Sequence, residues 1–226
     1  MTGAGLLHEE MYDIQPNNAF GVSGQELYQL WLNVPASNKM DDPFVQLLGG
    51  EDETPTVMNE IGNVATIVLA GNYQGKQSTA RIFSDVSIFH VKMGIYDDNT
   101  SKGKKMKWEY MLPTGHATCI LYLRTGTVTV DGQDISAHNT IFFQSSGAHL
   151  VVESQEGADF MFLSGEPLNE PVAAQGSMVM NSGNGINQAY SDYQAGMMGA
   201  PWEHTLSDEE WKQHNTKFPN IYSSKR

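Results

Sequence analysis

Hydrophobic and polar positions alternate along this chain in short runs, and turn residues break each run before it reaches helical length. Ser87–Met93 sets Phe89, Val91 and Met93 against Ile88, His90 and Lys92, and Lys107–Leu112 sets Trp108 and Tyr110 against Lys107 and Glu109. Period-two runs rich in β-branched and aromatic residues, separated by Gly, Pro, Asn and Asp, predict the strands of a barrel or sandwich. The pattern predicts strands at Leu6–Met11, Leu27–Asn33, Ala65–Ala70, Ala80–Phe83, Ser87–Met93 and Lys107–Leu112. It predicts five more at Thr118–Leu123, Thr127–Val130, Thr140–Phe143, His149–Glu153 and Phe160–Leu163. Asp131-Gly132 is a hairpin signal, because a two-residue turn needs positive φ, and Gly126 marks another tight bend.

Helical signals come last in the chain. Ile186, Tyr190 and Tyr193 fit one face of a short helix running from Gly185 toward Gly196. Ser207-Asp208-Glu209-Glu210 reads as a capping box, with Leu206 and Trp211 placed for the accompanying hydrophobic staple. Pro35–Pro55, with its prolines, the acidic run Glu51-Asp52-Glu53 and Gly49-Gly50, reads as a linker. The expected organisation is a short segment at residues 1–35, a linker at 36–55, a β-barrel domain at 56–196 and a tail at 197–226 with a short helix.

Composition narrows the function classes. A chain of 226 residues buries a sizeable core. A formal charge of −13 argues against direct binding to a phosphate backbone, so no nucleic-acid contact is expected. The cluster Lys102, Lys104, Lys105 and Lys107 reads as a solvated loop. No run is apolar enough to span a membrane and the N-terminus lacks a signal-peptide pattern, so the expected setting is cytoplasmic or nuclear. The single Cys119, in Thr118-Cys119-Ile120-Leu121-Tyr122, reads as an inert core cysteine in a reducing compartment.

The candidate chemistry lies in the first residues. His8 and Glu10 follow the glycine-rich turn Gly3-Ala4-Gly5, and in an extended segment positions two apart share a face. They would present an imidazole and a carboxylate side by side, which is half of a metal site. His116 and His149 are weaker candidates, read as surface or capping histidines, and the methionines, Met197-Met198 included, as core filling. Tyr12 and Trp31 are candidates to line the mouth of a barrel.

Four blocks, in order and in register, resemble the pirin family of two-domain cupins. Met1–Met11 is similar to the second metal-binding motif of the first pirin barrel. Leu27-Tyr28-Gln29-Leu30-Trp31-Leu32-Asn33-Val34-Pro35, with Lys39-Met40 and Pro43 after it, is similar to the Q-L-W-x-N signature. Ser164-Gly165-Glu166-Pro167-Leu168-Asn169-Glu170-Pro171-Val172 is similar to the G-E-P-L-x-E-P-V stretch closing the second barrel. Gln175-Gly176, Val179-Met180-Asn181 and Gln188–Gly196 match the C-terminal element. The resemblance implies an all-β fold of jelly-roll cupin barrels, a bicupin whose first barrel is incomplete here, with short C-terminal helices.

It also implies one iron(II) in the first barrel, held by three histidines and a glutamate, with His8 and Glu10 as two of the ligands and Glu10 also a candidate catalytic base. The other two ligands form an H-x-H pair, and no two of the seven histidines here lie two apart. The second barrel of pirins usually carries no metal. Three functions stay open at this stage. One is a quercetin 2,3-dioxygenase-type oxidoreductase acting on a flavonol. Another is an iron-dependent transcriptional coregulator whose partners are transcription factors. The third is an inactive truncated pirin.

Overall fold

The computed structural model describes residues 1–8, 10, 26–94, 105–144, 147–199, 207, 209–210 and 213. Its strands are β1 (Thr56–Met58), β2 (Val64–Ala70), β3 (Asn72–Tyr73), β4 (Lys76–Gln77), β5 (Val86–Met93), β6 (Met106–Met111) and β7 (Thr118–Val130). Then come β8 (Gln133–Ser136), β9 (Asn139–Phe142), β10 (His149–Ser154), β11 (Ala158–Gly165), β12 (Ala173–Gln175), β13 (Met178–Met180) and the helix α1 (Gly183–Gln194). These residues form two compact units, Met1–Val45 with Glu170–Thr205, and Gln46–Asn169 with Leu206–Arg226.

The larger unit is a curled, all-antiparallel sheet with the strand path β1-β2-β5-β11-β7-β10-β6, and β8 and β9 both pair with β7. The curl comes from β7, a single 13-residue strand where the sequence predicts two. Before Gly126 it pairs with β11 and β9, and after Gly126 with β8 and β10. Gly126 takes φ +84°, and a Cβ there would lie 2.1 Å from the Gly157 carbonyl oxygen. A bulge beside it, where Asp159 pairs with Thr125 but Phe160 with Leu123, adds the twist that carries the strand round the corner. Asp131 (φ 48°) and Gly132 (φ 75°) form the two-residue turn expected there.

Alternation along these strands fills the hollow of the curl. On β6 the inward Met106, Trp108 and Tyr110 are buried while the residues between them are exposed. Phe89, Phe160, Phe162 and Tyr73 complete an aromatic core, with Trp108 stacked on Tyr73 at 6.1 Å and Phe162 at 5.1 Å from Trp108. The polar atoms of two aromatic side chains find buried partners: Trp108 Nε1 donates to Thr66 Oγ1 at 3.0 Å, and Tyr110 OH pairs with Ser87 Oγ at 2.8 Å. The Trp108–Thr66 bond joins β6, the last strand of the path, to β2, its second strand, across the core.

Two predicted strands do not form, and the described part of a third is not extended into a sheet. Ala80–Phe83, Leu27–Asn33 and the described part of Leu6–Met11 are in no strand, because alternation specifies a face to bury but not a partner to pair with. The acidic run is not a plain linker either. Glu53 Oε2 accepts the Gly50 amide at 2.7 Å and Glu51 Oε1 accepts the Thr56 amide at 2.7 Å, so both carboxylates build the turn leading into β1. The capping box forms as expected, Ser207 N donating to Glu210 Oε2 at 2.8 Å and Glu210 N to Ser207 Oγ at 3.4 Å. Its proposed staple residues Leu206 and Trp211 lie outside the described residues. In α1, Ser182 caps the N-terminus through the Gly185 amide, and the buried seam is Ile186 and Ala189, with Tyr193 turned to solvent.

In the smaller unit the motif residues of the sequence meet in one polar clasp. Glu170 Oε2 accepts the Ala36 amide, at the start of the single turn of 3-10 helix Ala36–Asn38, and the Asn181 amide group at 3.2 Å. Lys39 is buried and donates to Asn33 Oδ1 at 2.6 Å. Burial pushes the Lys39 ammonium below the ordinary lysine range, and the Glu170 charge works against that shift. A lysine with a lowered folded-state pKa binds fewer protons folded than unfolded, so stability rises with pH across the alkaline window just below the ordinary lysine range. Glu170→Leu removes both acceptor contacts and the opposing charge. We expect it to cost about 1–2 kcal/mol at neutral pH and to steepen the alkaline rise, both read from urea midpoints as a function of pH. An unchanged midpoint would refute the clasp.

Candidate functional site

His8 and Glu10 are brought together. His8 Nδ1 and Glu10 Oε1 stand 3.9 Å apart, with the two side chains 52% and 46% exposed. Neither residue is in a strand. The Leu7 amide donates to the Met198 carbonyl at 3.1 Å and the Ala4 amide to the Asp41 carbonyl at 2.9 Å, so the chain just before His8 is tied at both ends.

As metal donors the pair fits two places in one coordination sphere. On a first-row ion two donors sit about 3 Å apart in neighbouring octahedral positions and about 4 Å apart in opposite ones. A separation of 3.9 Å is therefore spanned by a single ion with a small side-chain rotation. Among the described residues, however, no group of three or more His, Cys, Asp or Glu side chains converges on one point. The two histidines of an H-x-H pair are not in the sequence, so no chemical step through a metal follows from these residues alone.

The other histidines are placed by the large sheet. His116 is not a surface histidine as the sequence suggested. It is buried, its Nδ1 lies 2.9 Å from Ser164 Oγ, and its Nε2 lies 3.2 Å from Asp85 Oδ1. That second approach brings a charge near without hydrogen-bond alignment, leaving Nε2 unbonded. The order Asp–His–Ser resembles a nucleophile relay, but the burial is reversed. The serine is inside and the carboxylate is 65% exposed, so the contact ties the loop before β7 to the end of β11. That loop and Gly147-Ala148 line a depression of about 430 Å³. His149 is exposed and lies 3.3 Å from Glu109 Oε1. Glu109 is held below the usual carboxylate range, first by its hydrogen bond to Lys107 and further by His149.

Cys119 is buried, and desolvation pushes its thiol up to about 12. At pH 8 only about one thiol in ten thousand is then ionised. Ellman's reagent is expected to leave the folded chain unmodified and to titrate one thiol once urea unfolds it; fast reaction before unfolding would contradict the packing. Trp31 is 66% exposed and takes no part in the depression, while Tyr12 lies outside the described residues. Met198 is buried but Met197 is 74% exposed, so only the first fills a core. Of the basic cluster, Lys105 pairs with Glu153 at 2.6 Å and Lys107 with Glu109 at 2.7 Å, and Lys102 and Lys104 lie outside the described residues.

One polar group escapes the sequence reading. Asp159 is buried on β11, with His90 Nε2 2.9 Å from one carboxylate oxygen and Arg124 Nη1 3.4 Å from the other. The signal was an acid inside the apolar run Ala158–Leu163, which a buried strand tolerates only with a partner. Among the described residues no helix is long and apolar enough to cross a membrane.

Comparison with known proteins follows the same lines. Residues 98–199 match the model of the pirin C-terminal cupin domain. A protein of Pseudomonas aeruginosa named "Putative quercetin 2,3-dioxygenase" is 31% identical over 87% of this chain and 64% of its own length. A "Pirin-like protein" of Solanum lycopersicum is 29% identical over 87% of this chain and 62% of its own. The crystal structure of a quercetin 2,3-dioxygenase from Acinetobacter baumannii superposes with a TM-score of 0.65 at 26% identity, covering 75% of this chain and 56% of that one. The chain thus spans somewhat under two thirds of the length of these relatives.

Proposed function

We propose, from the premise that this chain belongs to the pirin family of cupins, that it is part of a metal-dependent oxidoreductase of the quercetin 2,3-dioxygenase type. In this reading His8 and Glu10 are two of the protein ligands. The observation that carries it is the pairing of His8 Nδ1 and Glu10 Oε1 at 3.9 Å, directly after a stretch whose backbone is hydrogen-bonded as far as Leu7. An imidazole with a carboxylate is the donor chemistry of non-haem iron(II). Iron(II) bound there supplies Lewis-acid and redox chemistry toward a flavonol and dioxygen.

What the chain's own residues contribute is more limited. His8 offers Nδ1 as a neutral donor, and its exposed ring leaves Nε2 free to face solvent or an added strand. Glu10 sets a negative oxygen, Oε1, beside it. A carboxylate so placed takes the proton of an incoming flavonol hydroxyl, leaving the substrate oxygen anionic. The H-x-H pair that completes the site comes, in this proposal, from residues outside this sequence.

The test is loss of quercetin absorbance in air with iron(II) added, using this chain joined to an upstream segment that supplies an H-x-H strand. Turnover is expected only with iron, and His8→Ala or Glu10→Gln should slow it more than roughly 100-fold, since even the outer partners of metal ligands are worth 10–100-fold. Iron-dependent turnover that survives both substitutions would overturn the assignment.

A further inference from the structure

We infer that Gly3, Gly5 and Met198 are positioning residues that aim the His8–Glu10 pair, holding the turn before it in a mould made by the Asp41 backbone and the Met198 side chain. The inference rests on the metal reading above and adds to it how an exposed two-residue motif is kept ready for an ion.

Two glycines show the fit. Gly3 has φ +47°, and a Cβ on it would lie 2.1 Å from the Asp41 carbonyl oxygen, a backbone atom that cannot swing aside. Gly5 has φ +128°, and its Cβ would meet Met198 Cγ at 2.4 Å and Sδ at 2.7 Å. Neither position admits any other residue without moving the turn or its walls. Hydrogen bonds lock the same stretch: Gly5 N to the Thr2 carbonyl at 2.8 Å, Ala4 N to that of Asp41 at 2.9 Å, Phe44 N to that of Met1 at 3.0 Å, and Leu7 N to that of Met198 at 3.1 Å. Asp41 is itself fixed, its carboxylate accepting from Asn38 Nδ2 at 2.8 Å and its amide donating to the Asn38 carbonyl at 3.2 Å.

Met198 is 9% exposed whereas Met197 beside it is 74% exposed, so Met198 is the one held inside against the glycine turn. The consequence is energetic. A free His-x-Glu segment must give up backbone and side-chain freedom to place both donors on one ion, and a fixed turn just before it removes part of that backbone cost before binding. The C-terminal segment, far away in sequence, thereby acts on a ligand pair at the other end of the chain.

The experiment titrates cobalt(II) into the full chain and follows the paramagnetic shifts of the His8 imidazole and the Glu10 side chain by NMR. The wild type is expected to bind roughly tenfold more tightly than the free peptide Met1–Met11. Gly3→Ala and Met198→Ala should each fall toward the peptide value, and Met198→Leu, which keeps the bulk, should stay near wild type. The ring-proton signals of Trp108 report, in the same spectra, that the large sheet of each variant is intact. Wild-type affinity equal to that of the peptide, or unchanged affinity in both alanine variants, overturns the positioning role while leaving the metal reading in place. Absence of any shift at His8 in the wild type overturns the metal reading itself and this inference with it.

Discussion

Trp108→Ala should lose about 3–5 kcal/mol of stability, a large share of the roughly 5–15 kcal/mol that holds a domain together. Trp108 is 1% exposed and touches Tyr73, Tyr110, Phe160 and Phe162, so truncation opens a cavity that four rings cannot all collapse into. It also leaves the buried Thr66 hydroxyl without the indole donor, adding about 1 kcal/mol. Because Trp108 and Thr66 join the last strand of the path to its second, the loss falls on closure of the curled sheet. Urea denaturation followed by far-UV circular dichroism measures it. Trp108→Phe, which keeps most of the volume but not the hydrogen bond, should cost less than half as much. A shift under 1 kcal/mol for the alanine variant would mean the core is not packed around this ring.

Gly126→Ala is expected to cost roughly 2–4 kcal/mol, from a left-handed backbone angle and a clash of the added Cβ with backbone atoms. The added Cβ would sit 2.1 Å from the Gly157 oxygen and 2.9 Å from the Ala158 Cα, so either β7 or β11 must move. Gly132→Ala is the internal control. It shares a positive φ, +75°, but has nothing within 4 Å of a built Cβ, and should cost only about 1 kcal/mol. Thermal or urea midpoints of the two variants separate the clash from the conformational preference. Equal losses would show that the corner at Gly126 is not sterically constrained.

The resemblance read from four motif blocks accords with the comparisons, yet the blocks turn out to serve different purposes. Asn33, Lys39 and Glu170, all within motif stretches, form a clasp and not a reaction centre. The Q-L-W stretch holds no strand partner here, and Leu27, Leu30, Trp31 and Leu32 are between 45% and 66% exposed. His8 and Glu10 were legible because a spacing of two brings side chains together in any extended backbone. Asp159 was not, because its partners His90 and Arg124 come from two other strands whose register no local pattern records.

Local chemistry in the chain was enough to determine the β class, the Asp131-Gly132 turn, the Ser207–Glu210 cap and the nearness of His8 to Glu10. Each depends on residues a few positions apart, where period, φ preference and hydrogen-bond reach are set by the covalent backbone. Only the tertiary structure decided that β7 is one bent strand, that His116 is buried against Ser164, and that residues 170–205 group with the N-terminal segment. Those outcomes depend on which distant segments meet. Burial selects partners by fit across space, and alternation along one segment carries no record of that choice.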